Sequence, residues 1–249
     1  MRKLSLSVLL CLSSCFILAQ DNIKANYGSS SSGKNLLKIN LLSLPLNNYS
    51  FQYERAIANK ITLGLGYRFM PESGIPMKSS IGNLIDDPET EEQLGNFRTS
   101  NSAVTPEVRF YMGKEALRGF YLAPFARFSS YTIEGPFEYD MNNGVATLPL
   151  TGKLNTVTGG LLMGAQWKLG GGIYMDLWML GPQYGSANGS LNAVKSLSQE
   201  EQDELRPQLE DLASFFADSE TTVNTQGARV DISTPWTGLR AGLCIGLRF

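Results

Sequence analysis

The chain contains no histidine. That absence removes the commonest general base near neutral pH, the commonest metal ligand and every Ser-His-Asp or Cys-His arrangement. Cysteine is nearly as scarce: Cys11, Cys15 and Cys244. The first two lie in the N-terminal apolar stretch. A chain processed there keeps Cys244 alone, without a disulfide partner or a thiolate cluster for zinc. Positive charge is not in excess, with 21 Lys and Arg against 23 Asp and Glu, so nucleic acid has no electrostatic footprint. Beyond the N-terminus no apolar run reaches the ~20 residues of a membrane-crossing helix. Gly170-Gly-Gly172 lacks the Lys-Ser/Thr and the following helix of a phosphate loop. Asp86-Asp-Pro-Glu-Thr-Glu-Glu92 lacks the spacing of a calcium loop and reads as a solvated loop. No cofactor is expected, and an enzyme would be confined to carboxylate-only or Ser-Lys chemistry.

What is present begins with a leader. Arg2 and Lys3 precede the apolar stretch Leu4 to Leu18, and Ile17-Leu-Ala19 offers a small-residue cleavage site before Gln20. Residues 1–19 therefore read as a secretory signal peptide, whose loss takes the formal charge from −2 to −4. Leu12-Ser-Ser-Cys15 loosely fits a lipobox as well, which would leave Cys15 lipidated. Residues 20–33, with Gly28-Ser-Ser-Ser-Ser-Gly33, form a flexible lead-in.

From residue 34 the pattern is strict alternation in segments near the ~9–11 residues of a tilted membrane strand. Strands are predicted at Lys34–Leu42, Tyr49–Ile57, Ile61–Phe69, Val104–Met112, Gly119–Phe128 (extending toward Tyr139), Val157–Leu169, Ile173 to about Tyr184, and Trp236–Phe249. The connections at 58–60, 113–118 and 170–172 are short. On the other side, Leu44–Asn48 is short and three connections are long, the largest from about Gly185 to Pro235. Short turns on one side and long loops on the other are the asymmetry of outer-membrane barrels. Asn142-Asn-Gly144 reads as a hairpin, so the fifth and sixth strands would protrude as a ribbon.

The polar face decides which solvent the strands meet. A soluble sheet would carry Lys, Glu and Thr there; this one repeatedly carries glycine, at Gly64, Gly66, Gly160, Gly164, Gly242 and Gly246. Glycine weakens an exposed strand, but inside a narrow barrel it makes room for large neighbours. Those neighbours are expected to be Glu54, Arg68, Glu107, Arg109, Arg127, Gln166, Lys168, Asp176, Arg240 and Arg248, pairing inside the barrel. Pro124 interrupts the fifth strand and is expected at a bulge, which leaves Arg127 the weakest of these assignments. Tyr49, Tyr67, Phe69, Phe110, Phe120, Phe128, Trp167, Trp178, Tyr184 and Trp236 are expected in interfacial girdles.

In the last long loop, Ser198-Gln-Glu-Glu201 is a capping-box pattern, and Leu205, Leu209, Leu212 and Phe216 form a helical stripe. A helix over about Ser198–Phe216 is predicted, kinked or divided at Pro207. Thr221 to Asp231, centred on Gln226-Gly227, suggests a small hairpin. The chain then closes on Leu243, Ile245, Leu247 and Phe249 facing one side, with Phe249 the expected signal for assembly into a membrane.

The string Leu36-Leu-Lys-Ile-Asn-Leu-Leu-Ser-Leu-Pro-Leu-Asn-Asn-Tyr-Ser-Phe-Gln-Tyr-Glu-Arg-Ala56 resembles an uncharacterised family of small outer-membrane proteins of Bacteroidota, a domain of unknown function. So do Thr105-Pro-Glu-Val-Arg-Phe-Tyr-Met-Gly113 and Arg118-Gly-Phe-Tyr-Leu-Ala-Pro-Phe-Ala-Arg127. The resemblance covers essentially the whole processed chain and includes the Ala-Pro-Phe of the fifth strand. It implies location and architecture, and brings no activity or catalytic residue with it.

The expectation is an all-β, eight-stranded antiparallel transmembrane β-barrel over residues 34–249, in the outer membrane, with long external loops, one of them helical. Eight strands are too few for a general aqueous pore, so a structural or surface-interaction role is expected. The implied partners are outer-membrane lipid, lipopolysaccharide, the barrel assembly machinery and periplasmic chaperones; the sequence names no extracellular partner. Two other readings remain. A barrel enzyme would need a carboxylate site at its rim. A soluble secreted lipid-binding barrel would pack inversely, with Ile61, Leu63 and Leu65 inside and Arg68 outside.

Overall fold

The computed structural model describes residues 33–74, 95–141, 144–214 and 216–249. The leader, Cys15, residues 20–32 and the acidic run Asp86–Glu92 lie outside the described residues. The rest is all-β: one antiparallel sheet of nine strands that closes in a ring. In chain order the strands are β1 (Asn35–Asn40), β2 (Tyr49–Ala58), β3 (Ile61–Gly74), β4 (Arg98–Tyr111), β5 (Gly119–Met141), β6 (Gly144–Gly170), β7 (Ile173–Val194), β8 (Asp218–Asn224) and β9 (Gly227–Arg248). A 3₁₀ turn at Leu44–Leu46 links β1 to β2, and helix α1 (Gln199–Ala213) precedes β8. Among the described residues no helix is long and apolar enough to cross a membrane.

Eight strands make the circuit, because β9 pairs with both β7 and β1 while β8 pairs with β9 alone. The closing pair sets Ile39 against Ile245 and Leu37 against Leu247. A walk across paired residues runs Ile245, Ile39, Phe51, Tyr67, Val104, Phe128, Val157, Ser186 and back to β9 at Pro235, ten residues before its start. That offset is the stagger a closed sheet of tilted strands requires.

Several strands run well past their predicted ends. β5 and β6 stay paired as far as Met141 and Gly144, and β7 and β9 as far as Val194 and Gly227. Most of the expected loop from Gly185 to Pro235 is therefore strand, helix and hairpin rather than loop. The hairpin is β8 with β9, Asn224 facing Gly227. Pro124 marks no bulge: β5 holds one register with β4 and one with β6 on either side of it. Its ring points outward, while Ala123 and Phe125 beside it are buried. The irregularity lies instead in β7, where Met179 is extra: Trp178 pairs with Gly164 but Leu180 with Met163.

Helix α1 starts as its capping box demands. Ser198 Oγ accepts from the Glu201 amide (3.2 Å), and the Glu201 carboxylate accepts from the Ser198 amide (2.8 Å). Pro207 lies within one continuous helix and does not divide it. Leu205 and Leu209 bury completely against Tyr139, Leu148, Val223 and Val230, making an apolar core in the long-strand half of the ring.

Candidate functional site

Successive residues of a strand point to opposite faces, and here the buried face is the ionic one. In the short-turn half of the ring, Lys38 on β1 donates to Glu54 Oε2 (2.5 Å), Asp176 Oδ2 (2.6 Å) and Gln166 Oε1 (3.1 Å). Arg109 on β4 spans the same space. It donates to Glu107 Oε1 (2.5 Å), Asp176 Oδ2 (2.7 Å) and Gln52 Oε1 (2.7 Å), and lies 3.3 Å from Glu54 Oε2. The other oxygens are also taken. Thr62 and Tyr111 donate to Glu54 Oε1, each at 2.6 Å, and Tyr121 to Asp176 Oδ1 at 2.7 Å. Glu107 Oε2 accepts from Arg240 at 2.5 Å, and the Arg240 guanidinium lies 4.2 Å from the Trp178 ring centroid.

Lys38, Arg109 and Arg240 thus balance Glu54, Glu107 and Asp176. Each buried ion costs several kcal/mol to desolvate, so a cluster of this kind holds only while every member is paired. All three carboxylates have side chains 0 % exposed, and protein donors occupy both oxygens of each. The cluster leaves no carboxylate oxygen free for a diffusing molecule; its unpartnered polar atoms are the buried donors Gln52 Nε2 and Arg240 Nε. Physically it fills the ring, and with Thr62 of β3 and Tyr121 of β5 it draws side chains from all eight strands of the circuit. Among the described residues, no group of three or more acidic or thiol side chains is placed to hold a metal.

Glycines make the space. A Cβ at Gly64 would sit 2.7 Å from Glu107 Cγ, and one at Gly246 2.5 Å from Lys38 Cγ. Toward the short turns the ring is sealed by Leu117, which packs with Leu36 and Tyr174. Leu117 holds φ +67° and accepts from Gln166 Nε2 through its carbonyl (2.9 Å). The left-handed backbone costs about 1–2 kcal/mol, comparable to what burying a leucine contributes.

The outer face is the reverse. Leu63, Leu65, Tyr67, Phe110, Phe120, Phe128, Val157 and Leu161 are all exposed. Tyr49 stacks on Phe69 with centroids 5.2 Å apart. Further along the same strands the outward positions turn polar: Glu134 on β5, Asn155 and Lys153 on β6, Asn188 on β7, and Ser233 and Arg229 on β9. The packing required by a soluble lipid binder, with Leu63 and Leu65 inside, is the inverse of this one.

Of the polar residues predicted inside, Glu54, Glu107, Arg109, Gln166, Asp176 and Arg240 meet in one cluster. Arg127 is buried but outside it, donating to Thr105 Oγ1 (3.1 Å). Arg68 is half-buried and reaches Tyr131 Oη (3.4 Å). Arg248 is half-buried at the short-turn end, bonded to Tyr174 Oη (2.8 Å) and the Gly33 carbonyl (2.6 Å). Lys168 is a correction: it is exposed, because it sits at the end of β6, where the strand runs out beside the Gly170–Gly172 turn. Trp178 and Trp236 are also corrected. Both lie on the inward face, Trp178 buried and Trp236 with its ring centroid 5.7 Å from that of Tyr131. Ala165, in step with the outward Leu161 and Met163 on β6, is nevertheless buried between its paired neighbours Phe120 and Leu177. Phe249 is exposed and exchanges backbone hydrogen bonds with Asn35 (2.9 and 3.1 Å). The centre of the cluster, Lys38, was absent from the predicted set. Its signal was its place on the face opposite Leu37, Ile39 and Leu41. No protein-family model, no curated protein and no solved structure matches this chain.

Proposed function

We propose that the ring is an eight-stranded transmembrane β-barrel of an outer membrane, acting as a structural and surface-interaction protein rather than as a pore or an enzyme. The observation that carries this reading is the outer face: an apolar band that ends on the same strands that continue outward with polar residues. In water that band is a large exposed apolar patch of the kind monomeric soluble proteins avoid. In a bilayer it is the expected lipid contact, and ring closure leaves few backbone groups unpaired in hydrocarbon. The ionic cluster and the Leu117 seal support a closed interior. The extensions of β5 to β9, with α1 and the β8–β9 hairpin, form an outward platform suited to contacts outside the cell. Lipid, lipopolysaccharide, periplasmic chaperones and the assembly machinery follow as partners, in keeping with the family resemblance. Phe249, as the end of the closing strand, is the assembly signal in this reading.

The test is electrophoretic and simple. A folded membrane barrel in SDS migrates differently before and after boiling and needs detergent to stay in solution. A heat-dependent shift together with detergent dependence is the expected result. Full solubility without detergent and no shift would sink the proposal.

A further inference from the structure

We propose that Arg127, Arg68 and Ser129, on the inward face beyond the ionic cluster, bind a phosphate-class oxyanion, free or carried as the headgroup of a larger molecule. Arg127 is only 8 % exposed, yet it makes one hydrogen bond, through Nε to the neutral Thr105 Oγ1. Its two terminal nitrogens have no partner among the described residues. Its charged neighbours are Arg68 and Arg240, both cationic, and Glu107. Glu107 is already committed through both oxygens to Arg109 and Arg240. A guanidinium with most of its surface removed from water and no free anion beside it is costly, whereas three cations in the cluster below are each matched by a carboxylate. Arg127 is thus the buried charge for which the described chain supplies no counter-ion.

The surroundings fit an oxyanion. Ser129, 7 % exposed, has a hydroxyl with no hydrogen-bond partner, and Arg68 Nε is buried and equally unpartnered. The register puts them together: Arg68 faces Ala103, and Ala103 faces Ser129, one inward position along β5 from Arg127. Two guanidinium forks and a hydroxyl suit the several oxygens and double charge of phosphate better than a single carboxylate. Tyr131, held to Arg68, and Trp236 form the wall above. Access lies beside Trp236. From Pro235 to Ala241 the edge of β9 has no strand partner among the described residues, since β1 reaches only Cys244 and β8 only Ser233.

The full chain, folded in phosphatidylcholine bilayers, is titrated with inorganic phosphate by calorimetry and by Trp fluorescence. In a second arm, phosphatidylcholine bilayer samples in phosphate-free buffer are compared with and without phosphatidic acid, reading the thermal unfolding temperature. Saturable binding in either arm supports the site. Response to inorganic phosphate identifies a free ion, and response to phosphatidic acid alone identifies a headgroup. Arg127→Met should weaken the response about ten- to hundredfold, the scale of charged hydrogen bonds. Arg127→Lys should retain part of it. Without anion, Arg127→Met should unfold no lower than wild type, because an unmatched buried cation is removed. No saturable response in either arm, or a response unchanged in Arg127→Met, overturns the proposal. The inorganic-phosphate titration is also run on the full chain in detergent or in lipid-free buffer, whichever keeps it folded, so its failure is distinct from failure of the membrane assignment.

Discussion

Replacing Lys38 by methionine keeps the length of the side chain and deletes its charge. The structure sets the cost. Lys38 Nζ holds Glu54 and Asp176 within 2.6 Å, and all three side chains are 0 % exposed. After the change, three buried carboxylates face two cations, Arg109 and Arg240. Breaking a buried pair by removing one partner costs about 3–5 kcal/mol, most of it from the charge left behind. Arg109 already lies 3.3 Å from Glu54 and absorbs part of the loss, so the lower end of that range is expected. Lys38→Met with Glu54→Gln restores neutrality and should regain much of the stability, giving a coupling of about 2 kcal/mol or more in a double-mutant cycle. The assay is reversible urea unfolding in detergent or bilayers, read by the combined fluorescence of the three tryptophans, of which Trp178 donates to Asp176 at 3.0 Å. A loss below about 1 kcal/mol for Lys38→Met, or strict additivity of the two changes, would refute the idea of an interior held by charge balance.

Three other perturbations address different parts of the molecule. Ser198→Ala removes the acceptor of the Glu201 amide and should destabilise α1 by about 0.5–2 kcal/mol, seen as faster hydrogen exchange in residues 199–213 with the ring unaffected. The Glu201 carboxyl is held below its ordinary value of 4.5 by the Ser198 amide and then Lys195. Its folded value is depressed, so its support for the cap is complete above 4.5 and is lost as pH falls through the folded value; protection factors of α1, corrected for intrinsic exchange, that do not fall as pH drops below 4.5 would contradict this. Deleting Phe249 removes both backbone bonds to Asn35 from the closing pair, and lower levels of heat-shifting protein in membranes are expected. Normal levels would remove Phe249 from any part in assembly.

What the sequence made legible was parity. Alternation on β3, β4 and β9 separates Leu63, Phe110 and Leu247 from Thr62, Arg109 and Gly246 without any knowledge of pairing, and glycine on the polar side tells which face is crowded. Register was not legible, because it joins residues far apart in the chain. Hence Glu54, Glu107 and Asp176 are recognisable as interior, whereas the convergence of two of them on Lys38 is not. Strand ends faded for another reason. Beyond Phe128 and Val157 the outward residues become polar, so the contrast between faces that defines a period of two disappears while pairing continues. Lys168 shows the converse failure: parity extended to the end of a strand where the wall has already turned. Trp178 and Trp236 were assigned by their aromatic character when their place on the strand, in step with Asp176 and Arg240, was the better guide. The capping box of α1 was legible because it is wholly local.

The central claim is that the apolar outer face meets lipid. It is tested most directly by single cysteines in a background in which Cys11, Cys15 and Cys244 are all replaced by Ser, which leaves no other thiol in the chain. Leu65→Cys and Leu161→Cys lie on the apolar band; Asn155→Cys and Asn188→Cys lie on the outward polar extension of β6 and β7. In intact cells, a membrane-impermeant maleimide should label the last two and spare the first two, which should become reactive once the protein is unfolded in denaturant. Equal labelling of all four in the folded protein would contradict the account.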